Sequence, residues 1–390
     1  MTRAAASGPE DDGLFFPGPE KDRPPARPFA SDRGRGARSN RAGRYEPVSR
    51  ESADDGWDLE DEPASNATDV TAETPRSIIN YLSSPFVGFD RSINPYRGCE
   101  HGCIYCFARP THAYYGLSAG LDFETRIFAK PNAASLLDRE LASKSYNPRH
   151  IAIGTNTDPY QPVERKFRIM RAVLETLAKY NHPVSVLTKS ALITRDLDLL
   201  RPMAEAKLVR TMLSVTTLDP RLARAMEPRA SAPARRLAAV KALADAGVPV
   251  GVMTAPMIPG LNDHELEDLL AAVKEAGAGW AGYTVIRLPL EVSGLFREWL
   301  ESAFPDRAAR VMRHIRDMNG GRDYDVEWSR GKLPRSVFAR LIDQRFRMAA
   351  SRLSLDGEKP PLDPMLFRRP QDSPAQLELF EDAARRRIAG

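Results

Sequence analysis

Between residues 120 and 290 the chain alternates short apolar runs with longer amphipathic stretches. The runs have the length and the branched side chains of buried strands, and the stretches repeat their apolar residues at the helical period. Strands are expected at 151–154, 183–188, 208–215, 248–253 and 280–286, and helices near 132–144, 164–180, 195–206, 233–246 and 263–276. Strands that alternate with helices predict an α/β protein with a parallel sheet.

Two glycines and one further strand complete this pattern. Gly247 and Gly277 precede two of the strands, at positions where helices commonly end. A run at 89–96 is expected to be the first strand, and it leads into a cysteine-containing loop. About six strand–helix units result, which is too few for a closed eight-fold barrel.

Composition divides the 390-residue chain into a core and extensions. Residues 1–75 hold few aliphatic side chains among many prolines and charges, so we expect them to be disordered. The core is expected at 76–330, a helical C-terminal extension at 331–356 and a flexible tail at 357–390.

Charge and hydropathy bear on which partners and which cell compartment are expected for the protein. The 56 basic residues exceed the 52 acidic residues by a net charge of only +4, too little to indicate nucleic-acid binding by itself. The start of the chain lacks the apolar core of a signal peptide, and no run of about 18 apolar residues occurs. We expect a cytoplasmic protein without membrane association.

All the cysteines, Cys99, Cys103 and Cys106, lie within eight consecutive residues. An odd number of thiols argues against a disulfide. Three thiolates can hold a [4Fe–4S] cluster by three irons and leave the fourth iron open to a second molecule. Zinc is the alternative, since His101 or His112 could complete a Cys3His site, although zinc ligands usually come as two separated pairs.

The C-x3-C-x2-C spacing, with Tyr105 before the last cysteine, resembles the signature of radical S-adenosylmethionine (SAM) enzymes. Other motifs occur in the order seen in the branch that includes spore photoproduct lyase, whose members are often labelled DNA repair photolyase-like. They are the segments 94–99, 105–110, 157–162, 188–190 and 227–229. The resemblance covers roughly residues 76–330 and implies a partial (β/α)6 TIM-like barrel.

Polar residues directly after the strands are the candidates for chemistry, because the carboxyl ends of parallel strands meet at one edge. Asn156, Lys189 and Ser214 stand at such ends. The alternatives are a solvated charge for Lys189, a helix-capping hydroxyl for Ser214 and a proline-fixed turn around Asp158.

The resemblance implies roles for these residues and a set of cofactors. Cys99, Cys103 and Cys106 would hold the [4Fe–4S] cluster, and a reductant of the flavodoxin or ferredoxin type would supply its electron. The reduced cluster would cleave SAM to a 5′-deoxyadenosyl radical that abstracts hydrogen from a substrate.

The SAM site would take residues from several strands. By the resemblance, Tyr105 would flank the adenine, Lys189 would meet the carboxylate and Ser214 would bond the ribose. Asn156 is a further cofactor-binding candidate, and Arg235 or its neighbour Arg236 would also contact the carboxylate unless it belongs to an exposed helix face.

One departure from the branch concerns the returning hydrogen atom. Spore photoproduct lyase uses an additional cysteine after the second strand, whereas residues 154–158 of this chain contain none. Thymine-dimer reversal by that route is therefore not expected. Tyr160 and Tyr283 are the alternative catalytic candidates, unless they only pack.

The segment Gln376–Phe380 resembles the pentapeptide by which bacterial repair and replication proteins bind the DNA sliding clamp. Its two leucines and Phe380 could fill apolar pockets; alternatively, it packs on its own domain. Two function classes follow: a radical SAM enzyme acting on DNA or another substrate, or a zinc-stabilised, non-catalytic adaptor for nucleic acid and the clamp.

Overall fold

The computed structural model describes residues 34–46, 67–83, 88–325 and 336–370. Its strands are β1 (Asp69–Ala72), β2 (Ile79–Tyr81), β3 (Arg91–Ile93), β4 (Tyr96–Arg97), β5 (Arg126–Ala129), β6 (Ile151–Ile153), β7 (Val184–Thr188), β8 (Val209–Ser214), β9 (Val250–Met257) and β10 (Trp280–Val285).

The helices lie mostly between and after these strands. They are α1 (Asp122–Thr125), α2 (Ala133–Ala142), α3 (Glu164–Phe167), α4 (Ile169–Lys179), α5 (Leu197–Glu205), α6 (Pro220–Met226), α7 (Pro233–Asp245), α8 (Leu266–Glu275), α9 (Glu291–Ala303), α10 (Pro305–Met318) and α11 (Val337–Arg352). None of the helices in the described part of the chain is long and apolar enough to cross a membrane.

The main sheet has the strand order β10-β9-β8-β7-β6-β3-β2. The strands from β3 to β10 in this order are parallel, and β2 adds an antiparallel edge next to β3. Six parallel strands in sequence order, with helical crossovers and two separate edges, form the open (β/α)6 partial barrel that was predicted. The fold class is confirmed.

Strand residues alternate between two faces of this sheet. One face packs against the surrounding helices in a single large core. On the other face Leu187, Met212 and Met253 are only half-buried and lie outside that core. Glycine is required at Gly251, because a Cβ there would stand 2.2 Å from the Trp280 ring. This second face is the concave interior of the barrel.

Most predicted helices are present, with two differences in detail. The predicted helix at 164–180 is two helices, because Arg168 adopts φ +52° between α3 and α4. The predicted helix at 195–206 is preceded by a 3₁₀ segment over Ala191–Asp196. Gly247 and Gly277 have φ of +75° and +95°, as expected of glycines that end helices.

The prediction that residues 1–75 are disordered was wrong for two segments. β1 pairs in parallel with β5, which also pairs with β4 in a separate three-stranded sheet. Segment 34–46 is held at Glu124, whose carboxylate accepts the N–H groups of Gly36 and Ala37 at 2.8 Å each. These partners are distant in sequence and offset the ordering entropy that composition alone suggested was too large. Residues 1–33 and 47–66 lie outside the described residues.

The helical C-terminal extension is confirmed as α11, on which Phe346 packs against Tyr283 with ring centroids 4.5 Å apart. The tail predicted to be flexible from 357 is instead packed as far as 370. The Phe367 ring is buried and lies 5.9 Å from Tyr180 and 5.7 Å from His182. Apolar burial explains the order, and Gln376–Phe380 lies outside the described residues.

Candidate functional site

The cysteine loop follows β4 at the edge of the barrel. Cys99 and Cys103 are buried and Cys106 is half-buried. The loop is tightly turned, with hydrogen bonds from Gly102 N–H to Cys99 O (3.3 Å) and from Cys106 N–H to Cys103 O (3.1 Å). Gly102 adopts φ +67°, a conformation that glycine tolerates at little cost. The three thiols are therefore presented from one compact loop.

Arg109, fully buried, fixes the backbone of this loop from behind. Its guanidinium donates to the carbonyls of Gly102 (3.2 Å) and Cys103 (2.9 Å) and pairs with Glu124 at 2.5 Å. Both charged groups are fully buried, so removing either one would leave the other as an unpaired buried charge at a large cost in stability. Because Glu124 also accepts hydrogen bonds from segment 34–46, it connects this N-terminal segment to the cysteine loop through Arg109.

Gln161 holds the backbone on both sides of Cys99. Its amide oxygen accepts from Glu100 N–H at 2.9 Å, and its amide nitrogen donates to Gly98 O at 3.1 Å. A buried amide that satisfies one donor and one acceptor fixes the chain direction at Cys99.

Asp158 links the cysteine loop to the end of β7. Its carboxylate lies 3.3 Å from Nδ1 of His101 and accepts from the Thr188 hydroxyl (2.6 Å) and Lys189 N–H (2.7 Å). Burial would raise the pKa of Asp158, but His101 and these hydrogen bonds outweigh it and hold the pKa at about 2. The proline-fixed turn is also present, with Tyr160 N–H donating to Asp158 at 2.9 Å.

Lys189 places a positive charge beside the cysteine loop. Its ammonium lies 5.8 Å from the centre of the Tyr105 ring and makes no hydrogen bond or ion pair within the described part of the chain. Burial would lower the pKa of Lys189, but the electrostatic effects of Cys103 and Glu227 outweigh it, and the pKa is raised. The group is a cation ready for an anionic ligand.

The other predicted cofactor residues fall into two groups. Ser214 ends β8, and the side chain of Asn156 is half-buried after β6. Arg235 is not brought to the site, because its side chain is exposed on α7. Its neighbour Arg236 is buried instead and donates to Ser214 O at 3.1 Å.

The model of the radical SAM superfamily matches residues 93–273 of this chain. The chain belongs to the radical SAM superfamily. Its relatives include the uncharacterized proteins Rv2578c of Mycobacterium tuberculosis and Mb2609c of Mycobacterium bovis, each 36% identical over 280 residues that cover 71% of this chain and 78% of the relative. A third relative, MJ0683 of Methanocaldococcus jannaschii, is 27% identical over 215 residues, or 55% of this chain and 76% of the relative.

Two solved structures share the fold. A mutant of spore photoproduct lyase matches with a TM-score of 0.50 at 15% identity, covering 73% of this chain and 79% of that protein. Spore photoproduct lyase complexed with dinucleoside spore photoproduct gives a TM-score of 0.50 at 14% identity, with the same two coverages. At sequence identities this low, the structural similarity shows a common fold and nothing more.

Radical SAM proteins use a [4Fe–4S] cluster and SAM, and these are the cofactors of this chain. The donor set fits the cluster better than zinc. Nδ1 of His101 faces Asp158 at 3.3 Å, and Nε2 of His112 lies 2.9 Å from Arg126 O, so each ring has one nitrogen engaged away from the thiols. Among the described residues no three His, Cys, Asp or Glu side chains converge on one metal position, and thiolates on a cluster need not, since each binds a different iron.

The hydroxyls of the two predicted catalytic tyrosines bond to residues outside the cysteine loop. The buried Tyr160 hydroxyl donates to Asp196 at 3.0 Å, and the Tyr283 hydroxyl donates to Asp343 of α11 at 2.6 Å. The packing interpretation fits both side chains.

Arg109, Gln161 and Glu227 were not predicted as functional residues, yet they contact the radical SAM cysteine loop directly. Each belongs to one of the sequence motifs named above, so a signal was present. What the sequence did not show is which side chain of each motif faces the loop.

Proposed function

We propose that this chain is an enzyme that cleaves SAM reductively on a cluster held by Cys99, Cys103 and Cys106 and abstracts a hydrogen atom from a substrate. The observation that carries the proposal is the arrangement of the loop. Three thiols stand on one loop whose backbone is fixed by Arg109 and Gln161, and beside it lies the Lys189 ammonium, which has no ion-pair partner among the described residues.

When bound, the cluster supplies the electron that splits SAM into methionine and a 5′-deoxyadenosyl radical, which takes hydrogen from the substrate. The residues of the chain bind and orient. Lys189 pairs its charge with the SAM carboxylate, the Ser214 hydroxyl bonds the ribose, and Tyr105 flanks the adenine. Lys189 and Ser214 follow neighbouring parallel strands, which supports a common ligand for them.

The concave interior of the barrel is the proposed place of the reacting substrate group. Leu187, Met212 and Met253 line it and Trp280 packs over Gly251, so this part of the surface is apolar. An apolar wall excludes water and protects a radical from side reactions.

A DNA lesion or another nucleic acid is the proposed substrate class. The support is the fold shared with spore photoproduct lyase and the likeness of Gln376–Phe380 to clamp-binding peptides.

We also propose a flavodoxin- or ferredoxin-type reductant and a cytoplasmic location, where an oxygen-labile cluster is kept reduced. All three cysteines are assigned to the cluster, so no cysteine remains to return a hydrogen atom.

Anaerobic reconstitution with iron and sulfide tests the proposal. We expect a brown protein with about four irons per chain. A colourless protein that carries stoichiometric zinc instead would favour the zinc-stabilised adaptor.

A further inference from the structure

The segment that follows α6 runs along the cysteine loop, although more than 100 residues separate the two in sequence. Ile104 N–H donates to Met226 O at 3.0 Å and Arg229 N–H donates to His101 O at 3.3 Å. The Arg229 guanidinium also bonds Glu100 at 3.1 Å. The segment 226–229 is therefore a wall of the loop, and its one remaining charged side chain, Glu227, faces the site.

The Glu227 carboxylate is buried and accepts three side-chain donors. It accepts from the hydroxyls of Tyr105 and Thr216, the latter at 2.7 Å, and it pairs with the buried guanidinium of Arg236. Arg236 in turn donates to Ser214 O at 3.1 Å and to Ser231 O at 2.6 Å. One carboxylate thus connects the cysteine loop, the end of β8 and the start of α7.

Glu227 keeps its negative charge in this setting. Burial would raise the pKa of the carboxyl, but Arg236 and Lys189 outweigh it, and the pKa is lowered. Glu227 also acts electrostatically on Cys103 and Lys189. Its charge therefore acts on one proposed cluster ligand, Cys103, and on Lys189, the residue proposed to pair with the SAM carboxylate.

We propose that Glu227 is a positioning residue of the SAM site, an inference that rests on the proposed function. Its carboxylate holds the Tyr105 hydroxyl directly and the Ser214 backbone through Arg236, so that these residues stand in one arrangement before SAM binds. Ordering them in advance lowers the entropic cost of binding.

The negative charge of Glu227 is expected to favour SAM binding, as its positioning of the neighbouring residues does. SAM is a net cation, because its ammonium and sulfonium groups outweigh its carboxylate, so a nearby anion favours its binding. The potential of an iron–sulfur cluster depends on the net charge around it. Removing the Glu227 charge should therefore weaken SAM binding and shift the cluster midpoint potential to a more positive value.

The test is Glu227→Gln in the full chain after cluster reconstitution. Gln keeps the size and can still accept from Tyr105, but it cannot pair with Arg236. We expect about four irons per chain as in the wild type, a SAM dissociation constant raised about tenfold or more, and the positive shift of midpoint potential. SAM affinity is measured by calorimetry and the potential by spectroscopic redox titration.

Glu164→Gln is the matched control. Glu164 is also fully buried and also accepts a tyrosine hydroxyl, from Tyr96 at 2.5 Å, and an arginine, from Arg195 at 2.8 Å. It has no contact with Cys103 or Lys189. We expect it to lower the melting temperature while leaving SAM affinity and midpoint potential at wild-type values.

Wild-type SAM affinity and potential in Glu227→Gln would overturn the inference, and so would equal losses in both variants, since that pattern follows from stability alone. If Glu227→Gln does not fold, Tyr105→Phe removes only the hydroxyl that bonds Glu227. A SAM dissociation constant raised about threefold supports the role, and an unchanged one contradicts it. A wild-type protein that takes up no cluster would instead refute the proposed function.

Discussion

At the scale of single residues, the sequence predicts ligand types better than it predicts orientation. Although their roles stay predictions, the three cysteines follow as candidates from their spacing, and Lys189 follows from the resemblance and from its position after a strand. The choice between Arg235 and Arg236 does not, because neighbouring helical residues point about 100° apart and only packing fixes the rotation of the helix. Arg236 is the buried member, and Arg235 is exposed.

The contacts of Gln161 likewise could not be predicted from the local sequence. Its role depends on backbone groups at Gly98 and Glu100, about sixty residues away in sequence. No local pattern encodes that contact.

Replacing Lys189 by Ala should weaken SAM binding about tenfold without loss of iron, because a charge-assisted contact to the SAM carboxylate is removed. Calorimetry with SAM and an iron assay check this. The control is Lys241→Ala, since Lys241 lies on the exposed face of α7 and its one bonding partner among the described residues is Asp245. Equal SAM affinity in the wild type and in Lys189→Ala would show that Lys189 is a surface charge.

At the scale of elements, the five strands predicted between residues 151 and 286 agree with the structure to within a few residues. One face of these strands packs against the neighbouring helices in the core, so the local run of apolar residues is enough to predict them. The single strand predicted at 89–96 is wrong, because the structure has β3 in the main sheet and β4 in the three-stranded sheet. The segments 34–46, 67–75 and 357–370 were misjudged because their partners, such as Glu124 and Tyr180, are far away in the chain. Proline-rich and charged composition predicts disorder only where such partners are absent.

The packing of segment 357–370 predicts a pH dependence of stability. His182 is fully buried against Phe367, with Nε2 2.7 Å from the Tyr146 hydroxyl and Nδ1 3.0 Å from Pro183 O. Burial lowers the pKa of His182 to about 3 in the folded protein, against about 6.5 in an unfolded chain. The stabilisation is therefore complete above about pH 6.5 and is lost as the pH falls towards 3, at up to about 1.4 kcal/mol per pH unit.

Urea unfolding of the apoprotein between about pH 7 and pH 4.5 measures this effect. His182→Gln should be less stable at neutral pH and should lose less stability on acidification. Parallel pH profiles for the two proteins would show that His182 does not titrate in this way.

At the scale of the whole molecule, the family and the barrel could be predicted, and the substrate could not. The cysteine loop and the strand–helix alternation are properties of the class as a whole. Under the proposed function, substrate choice depends on the shape of the concave interior around Met212 and Met253, which no sequence pattern specifies.

The proposed clamp contact belongs to this scale, because it joins the enzyme to a partner. Deleting residues 371–390 should abolish retention on immobilised sliding clamp and leave cluster content intact, since the deletion removes none of the residues that the structure describes. A roughly micromolar dissociation constant is expected for so short a peptide. Leu379→Ala combined with Phe380→Ala should act like the deletion, and Glu378→Ala should not.

A different pattern would contradict clamp binding. If the double substitution lowers the melting temperature and the wild type is never retained on the clamp, the peptide packs on its own domain. The main sequence-based support for a role in DNA repair would then be lost.

The central claim is that three cysteines hold the cluster on which SAM is cleaved. The most direct measurement is 5′-deoxyadenosine formation with dithionite and SAM, in the reconstituted wild type and in Cys103→Ala. The account predicts dithionite-dependent product in the wild type, and neither cluster nor product in the variant, because no other cysteine can replace the lost ligand. A wild-type yield of 5′-deoxyadenosine in Cys103→Ala would contradict it.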